Sequence, residues 1–181
     1  MPDLNLPTDK VKESFLAAMA ESAAEGRGGP HDESQVGHEI RDWSGGWHTD
    51  MGFELYVAML RAESDEDAPR AAGRVPCTTW WWTEGEEYLG RIALRHRLNP
   101  RLLEAGGHIG YDVRPTARRR GHATAMLAEV LPVARDMGID RALLTCLPEN
   151  VWSRRVIESA GGMLEDERGG LLRFWVPTGR G

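Results

Sequence analysis

Apolar residues recur at helical spacing twice in the first third of the chain. Val11, Phe15, Ala18 or Met19, and Ser22 line one face of a helix predicted over Asp9 to Ala24, with Thr8 placed to cap it. A second predicted helix begins at Thr49 or Asp50, carries Phe53, Tyr56 or Val57, and Leu60 inward, and fades into the acidic Glu63-Ser64-Asp65-Glu66-Asp67. Gly26 to Gly46 lies between them without a period. Its Gly26-Arg27-Gly28-Gly29-Pro30 start and scattered His and Asp residues predict a long loop, a candidate substrate or lid segment.

The pattern then turns extended. Val75 to Thr83, with Trp80-Trp81-Trp82 at its centre, has strand character, and Glu84-Gly85-Glu86-Glu87 turns it into a partner at Tyr88 to Arg95. At least one ring of the Trp run must fall on each sheet face. His108 to Val113 is the next strand, stopped by Arg114-Pro115. A helix opening at Arg119 or Arg120 follows, with Ala123, Leu127, Val130, Leu131 and Ala134 inward and a kink or break expected at Pro132. Ala142 to Leu147 reads as a buried strand and Glu149 to Ala160 as a helix with Trp152, Val156 and Ala160 inward. Met163 to Glu165 and Leu171 to Val176 read as a closing hairpin. No repeat or low-complexity linker divides the chain, so a single domain over residues 1–181 is expected.

Composition narrows the class. The chain is 41% hydrophobic and 28% charged, as expected of a globular protein, and no run reaches the roughly 18 apolar residues of a membrane span. The Met1-Pro2-Asp3 start lacks a secretory pattern, so a cytoplasmic protein without a membrane partner is expected. Cys77 and Cys146 are too few for a disulfide framework and are expected to be reduced. His31, His38 and His48 have irregular spacing with no nearby Cys, and no metal is expected. The net charge of −6 argues against a nucleic-acid partner, but the charge is segregated. Met1 to Pro69 holds 5 basic and 15 acidic residues, giving −10, whereas Arg91 to Arg120 holds 8 basic and 2 acidic, giving +6. Such a basic region suits a small polyanion, and the acidic one suits a cationic acceptor or a merely solvated surface.

The most specific stretch is Gly110-Tyr111-Asp112-Val113-Arg114-Pro115-Thr116-Ala117-Arg118-Arg119-Arg120-Gly121-His122-Ala123-Thr124. A strand ends, a turn follows, and a helix starts on small residues, so unpaired N–H groups at its positive end form an anion site. Gly121 admits a bulky phosphate, and the arginines add charge around it. There is no Gly-Lys-Ser or Gly-Lys-Thr and no three-glycine spacing, which excludes a Walker loop and a dinucleotide fingerprint.

Arg118-x-x-Gly121-x-Ala123 after a strand ending in Val113-x-Pro115 resembles the acetyl-coenzyme A motif of the GNAT N-acetyltransferase superfamily. Asn150-x-x-Ser153-x-x-Val156-Ile157-Glu158-x-x-Gly161-Gly162 is similar to its second coenzyme-side motif. The segments Arg95 to Asn99 and Gly106 to Tyr111 resemble those of a bacterial GNAT subgroup. The resemblance implies an α/β fold in which a mixed, mostly antiparallel sheet is splayed between two central strands and flanked by about four helices. It implies that the Val113 backbone holds the pantetheine arm and that the N–H groups from Arg119 to Thr124, including those of Arg120, Gly121, His122 and Ala123, cradle the pyrophosphate. It further implies that Asn150 and Ser153 line the other side of the arm, with acetyl-CoA as cosubstrate. The implied activity is transfer of acetyl to a primary amine of a small molecule or peptide, and a homodimer is compatible with it. Many relatives use a Tyr as general acid just before the position of Glu158, where this chain has Ile157.

An ammonium must lose a proton before it attacks, so a base is required. His96, His108, Asp112, Glu86 and Glu87 are candidates, with His108 and Asp112 on one strand face and Tyr111, a candidate acid, on the other. Trp43 and Trp47 could wall an acceptor pocket. The alternatives are a non-catalytic acyl-CoA-binding sensor or partner module, which the missing Tyr permits, and an RNA- or DNA-binding domain using Arg91 to Arg120, a region without an aromatic-basic stacking motif.

Overall fold

The computed structural model describes residues 1–179. Its elements are β1 (Asp3–Asn5), α1 (Lys12–Ala24), α2 (Gln35–Trp47), α3 (Asp50–Ala62), β2 (Cys77–Glu84), β3 (Glu87–Arg95), α4 (Pro100–Glu104), β4 (Ile109–Val113), α5 (His122–Asp136), β5 (Arg141–Cys146), α6 (Val151–Ser159), β6 (Met163–Arg168) and β7 (Leu171–Pro177). Single 3-10 turns, Asp9–Val11 and Pro115–Ala117, precede α1 and follow β4.

The strands form two antiparallel sheets, β1-β2-β3-β4 and β5-β7-β6. They meet where β4 faces β5, and among the described residues no ladder joins them. The expected splay is therefore present. One residue pins the two strands: the His108 N–H donates to the Leu143 carbonyl at 2.7 Å, and His108 Nδ1 accepts from the Leu143 N–H at 2.9 Å. Gly107, at φ +60°, makes the approach possible, since a Cβ there would lie 2.2 Å from the Leu143 oxygen.

Alternation along β2 and β3 divides the core into two layers. Trp81 and Tyr88 face α1, α2 and α3, where Phe15, Trp47, Phe53 and Tyr56 surround them. Trp82, Ile92 and Leu94 face α5, α6 and the second sheet, against Met126, Leu127 and Phe174. Arg91 on β3 points into the first layer. It forms a two-pronged ion pair with Glu39 of α2, and the Tyr56 hydroxyl donates to the same carboxylate at 2.5 Å. Arg91 is 2% exposed, so this pair ties α2 to the sheet from inside.

Three sequence expectations change. Among the described residues six α-helices stand, two more than the four expected. One addition is the short α4, and the other is α2, which fills the supposed loop between Gly26 and Gly46. Ser34 caps α2 by accepting from the Gly37 N–H at 3.0 Å, and Val36, Ile40, Trp43 and Trp47 are its apolar positions. Pro132 leaves α5 unbroken. It lies on the solvent face, where water can reach the carbonyl of Ala128 that its missing N–H would have paired. Trp152 is 57% exposed beneath Arg155, and Ile157 with Val156 takes the inward place on α6. No described helix is long and apolar enough to cross a membrane. Both cysteines are free, with Cys146 buried.

Candidate functional site

β4 ends where the sheets part. Val113 still pairs with Gly90 of β3, and the Arg114 N–H donates to the Leu89 carbonyl at 2.9 Å. The chain then turns through Pro115–Ala117, anchored by buried Ala117, and reaches Arg118. Arg119 has φ +63° and Gly121 φ +84°. These left-handed residues swing the backbone so that α5 starts pointing at the end of β4.

Gly121 is the N-cap of α5, and no side chain caps the helix. Among the described residues, no protein acceptor takes the N–H groups of His122, Ala123 or Thr124; only the Ala125 N–H returns, to the Gly121 carbonyl. A Cβ on Gly121 would meet nothing within 4 Å, and the first turn carries no acid. Unpaired donors, the positive end of the helix dipole and free space thus coincide, a fit for a phosphate or diphosphate. Arg119, Arg120 and Thr124 are exposed around this turn and Ala123 is half-buried. The ring of His122 is tied to the sheet: its Nδ1 accepts from the Trp82 indole N–H at 3.0 Å.

Across the seam stands the first turn of α6. Asn150 caps it, with Oδ1 accepting from the Ser153 N–H at 3.0 Å. The Ser153 hydroxyl meets the Tyr111 hydroxyl at 2.8 Å, so a β4 side chain reaches α6 over the opening. Burial pushes the Tyr111 phenol up to about 12, a shift that the Ser153 contact opposes, so Tyr111 keeps its proton at neutral pH. Ile157 is buried and offers no proton.

The other face of β4 carries Asp112. Its carboxylate accepts from Arg27 Nη2 at 2.9 Å, and Arg27 also contacts Asp32 at 3.1 Å and Ser34 at 2.7 Å. Burial alone would raise the Asp32 carboxyl. Hydrogen bonds from Ser34 and the Gly28 N–H, with the charge of Arg27, instead hold it at about 2. Arg27 therefore lies over Asp112 as a strap from the corner between α1 and α2.

The remaining base candidates are scattered. His108 is 7% exposed, and its accepting nitrogen is spent on Leu143. Burial, then the charge of Arg95, lowers it to about 4, so it stands neutral as a strut between the sheets. His96 lies at the far end of the β3–β4 ladder from Val113, between Thr78 and Glu66. Glu87 is near Arg114 at 4.0 Å and Glu86 is in the exposed hairpin turn. Trp47 is buried against Phe15 and Tyr56, and the Trp43 ring packs tilted against Tyr56, so both serve the core. Among the described residues, no three His, Cys, Asp or Glu side chains gather as a metal site.

Sequence reasoning missed the contribution of α1. Glu21 accepts from Arg114 at 2.6 Å and from the Thr116 hydroxyl at 2.9 Å, and Arg114 holds its carboxyl below the usual range. Glu25 pairs with Arg118 at 2.8 Å. Glu21 and Glu25, four apart on one helix, form a row of acids that could have been matched to the arginines of the turn.

A sequence model of the acetyltransferase (GNAT) domain matches residues 13–163. No curated protein matches the chain. Among solved structures, RimJ of Mycobacterium smegmatis, crystallised with CoA-disulfide, is 20% identical with a TM-score of 0.63, covering 98% of this chain and 86% of its own. The GNAT domain of S. lividans PAT is 16% identical with a TM-score of 0.60, covering 97% and 90%. The PaiA N-acetyltransferase of Thermoplasma acidophilum, in complex with coenzyme A, is 14% identical with a TM-score of 0.60, covering 98% and 99%. At these identities the likeness is one of fold.

Proposed function

The chain belongs to the GNAT acetyltransferase family, and on that premise we propose that it moves an acetyl group from acetyl-coenzyme A to a primary amine of a small molecule or peptide. The observation that carries this reading is the uncapped start of α5 beside the end of β4, with Gly121 leaving its approach open. The coenzyme supplies an acetyl thioester, whose thiol, with a free pKa of roughly 8.5, is a tolerable leaving group.

The residues divide the work by position. The N–H groups from Gly121 to Thr124 hold the diphosphate, with Arg118, Arg119 and Arg120 around it. The Val113 backbone, Asn150 and Ser153 line the path of the arm along the seam. Holding the thioester beside an incoming amine removes most of the entropic barrier to their reaction. On one side of the seam, Asp112 takes the proton of the ammonium once Arg27 has moved aside. On the other, the Tyr111 hydroxyl keeps its proton until sulfur needs it and is the donor in place of the residue at Ile157.

Calorimetry with coenzyme A and the Gly121→Glu variant tests the site. The new carboxylate would stand where phosphate sits, and loss of binding with an unchanged far-ultraviolet spectrum is expected. Unchanged affinity rejects the site. Release of free thiol with a panel of primary amines tests the reaction, and turnover of any amine excludes a pure acyl-coenzyme A sensor.

A further inference from the structure

Arg118, the first arginine of the anion-binding turn, is already engaged. Its Nη2 lies 2.8 Å from Glu25 Oε2 and its Nη1 3.1 Å from Glu25 Oε1, while its Nε donates to the Val113 carbonyl at 3.3 Å. One side chain thus covers the backbone oxygen assigned to the pantetheine arm and presents its charge to an internal carboxylate. Glu25 is the C-cap of α1, and Gly26 beyond it has φ +90°. Two residues on, Arg27 is bound to Asp112 of the same β4 strand. The corner is fastened to β4 on both sides of Gly26, which keeps the Glu25 carboxylate at a high local concentration near Arg118.

We propose that Glu25 is an internal stand-in for the coenzyme's phosphate: its carboxylate occupies Arg118 until the coenzyme displaces it, and it thereby sets coenzyme affinity. The inference rests on the reading that this turn holds a coenzyme diphosphate. The exchange conserves charge, one anion replacing another on the same guanidinium, and it frees the Val113 carbonyl as Arg118 swings away. The pair is exposed, at 40% for Arg118 and 44% for Glu25, so solvent screens it and displacement is cheap. Glu25 touches neither coenzyme nor acceptor in this scheme; it is a positioning residue acting through Arg118.

Titration calorimetry with coenzyme A as the probe tests this on the full chain. Glu25→Gln preserves shape and removes the charge, and coenzyme A is expected to bind about two- to fivefold more tightly at low salt. The gain should shrink at high salt. Arg118→Gln should bind more weakly than the parent, and adding Glu25→Gln to it should produce no gain, since the effect runs through that guanidinium. An unchanged or weaker Glu25→Gln variant overturns the proposal while leaving the coenzyme site standing. So does a gain that survives in the Arg118→Gln background, because it would be a general effect of lost negative charge. If the parent chain binds no coenzyme A, the reading of the site falls and this inference falls with it.

Discussion

His108 shows how one side chain can be read for chemistry and yet serve architecture. A histidine next to a motif strand suggests a base, but its side chain is bonded to the Leu143 backbone at β4's entrance. Its proton affinity follows from that duty. The folded state holds it at about 4, against an ordinary 6.5, so the unfolded chain binds more protons between those values. Stability then rises with pH through this window and is lost as pH falls from 6.5 towards 4, by up to about 3 kcal/mol from this group. Urea titrations at several pH values should show a steeper acid loss for the parent than for His108→Gln. Tyr111 is the complementary case. Its place on the opposite face from Asp112 was legible from alternation, whereas its bond to Ser153 joins residues 42 apart and had no local sign. Tyr111→Phe should keep coenzyme affinity and lower kcat by about 100-fold, least at pH values above the thiol pKa of roughly 8.5, where sulfur can leave as the thiolate. Steady-state kinetics across pH checks it.

Among elements, α1, α3 and α5 announced themselves because each buries a continuous apolar stripe. Val11, Phe15, Ala18, Met19 and Ser22 are all buried, as are Phe53, Tyr56, Val57 and Leu60. Helix α2 was hidden by its glycines and by Glu39, an acid facing the core. Glycine lowers helix propensity, but Gly37 is needed because a Cβ there would lie 2.3 Å from the Asp32 carboxylate. A buried acid is invisible to a hydrophobic period when its partner, Arg91, lies far along the chain. The readable trace was the spacing of Val36, Ile40, Trp43 and Trp47 after the Ser34 cap. In α5 the opposite error arose: Pro132 falls off the apolar stripe, where water meets the carbonyl it leaves unpaired and the helix runs on. An exposed proline still costs the helix a hydrogen bond, so Pro132→Ala should raise stability by about 1 to 3 kcal/mol, read as a higher urea midpoint with an unchanged m-value.

At the scale of the molecule, part of the segregated charge is internal complementarity. The acidic first third and the basic middle pair with each other: Glu39 with Arg91, Glu66 with Arg97, Glu21 with Arg114 and Glu25 with Arg118. Net charge by segment therefore reflects in part how α1, α2 and the segment around Glu66, between α3 and β2, dock on the sheet. Of these pairs only Glu39–Arg91 is buried. Glu39→Leu would strand a guanidinium in the core and should cost about 3 to 5 kcal/mol, whereas Glu39→Leu with Arg91→Met should recover most of it. Denaturant titration of the three proteins distinguishes the outcomes.

The parting of the two sheets between β4 and β5 has one further consequence. Each half closes its own ladders, so the width of the crevice can change through substitutions along its walls without severing any inter-strand bond. Descendants of such a chain are free to admit bulkier or slimmer cargo by altering side chains alone, while the scaffold on either bank stays as it is.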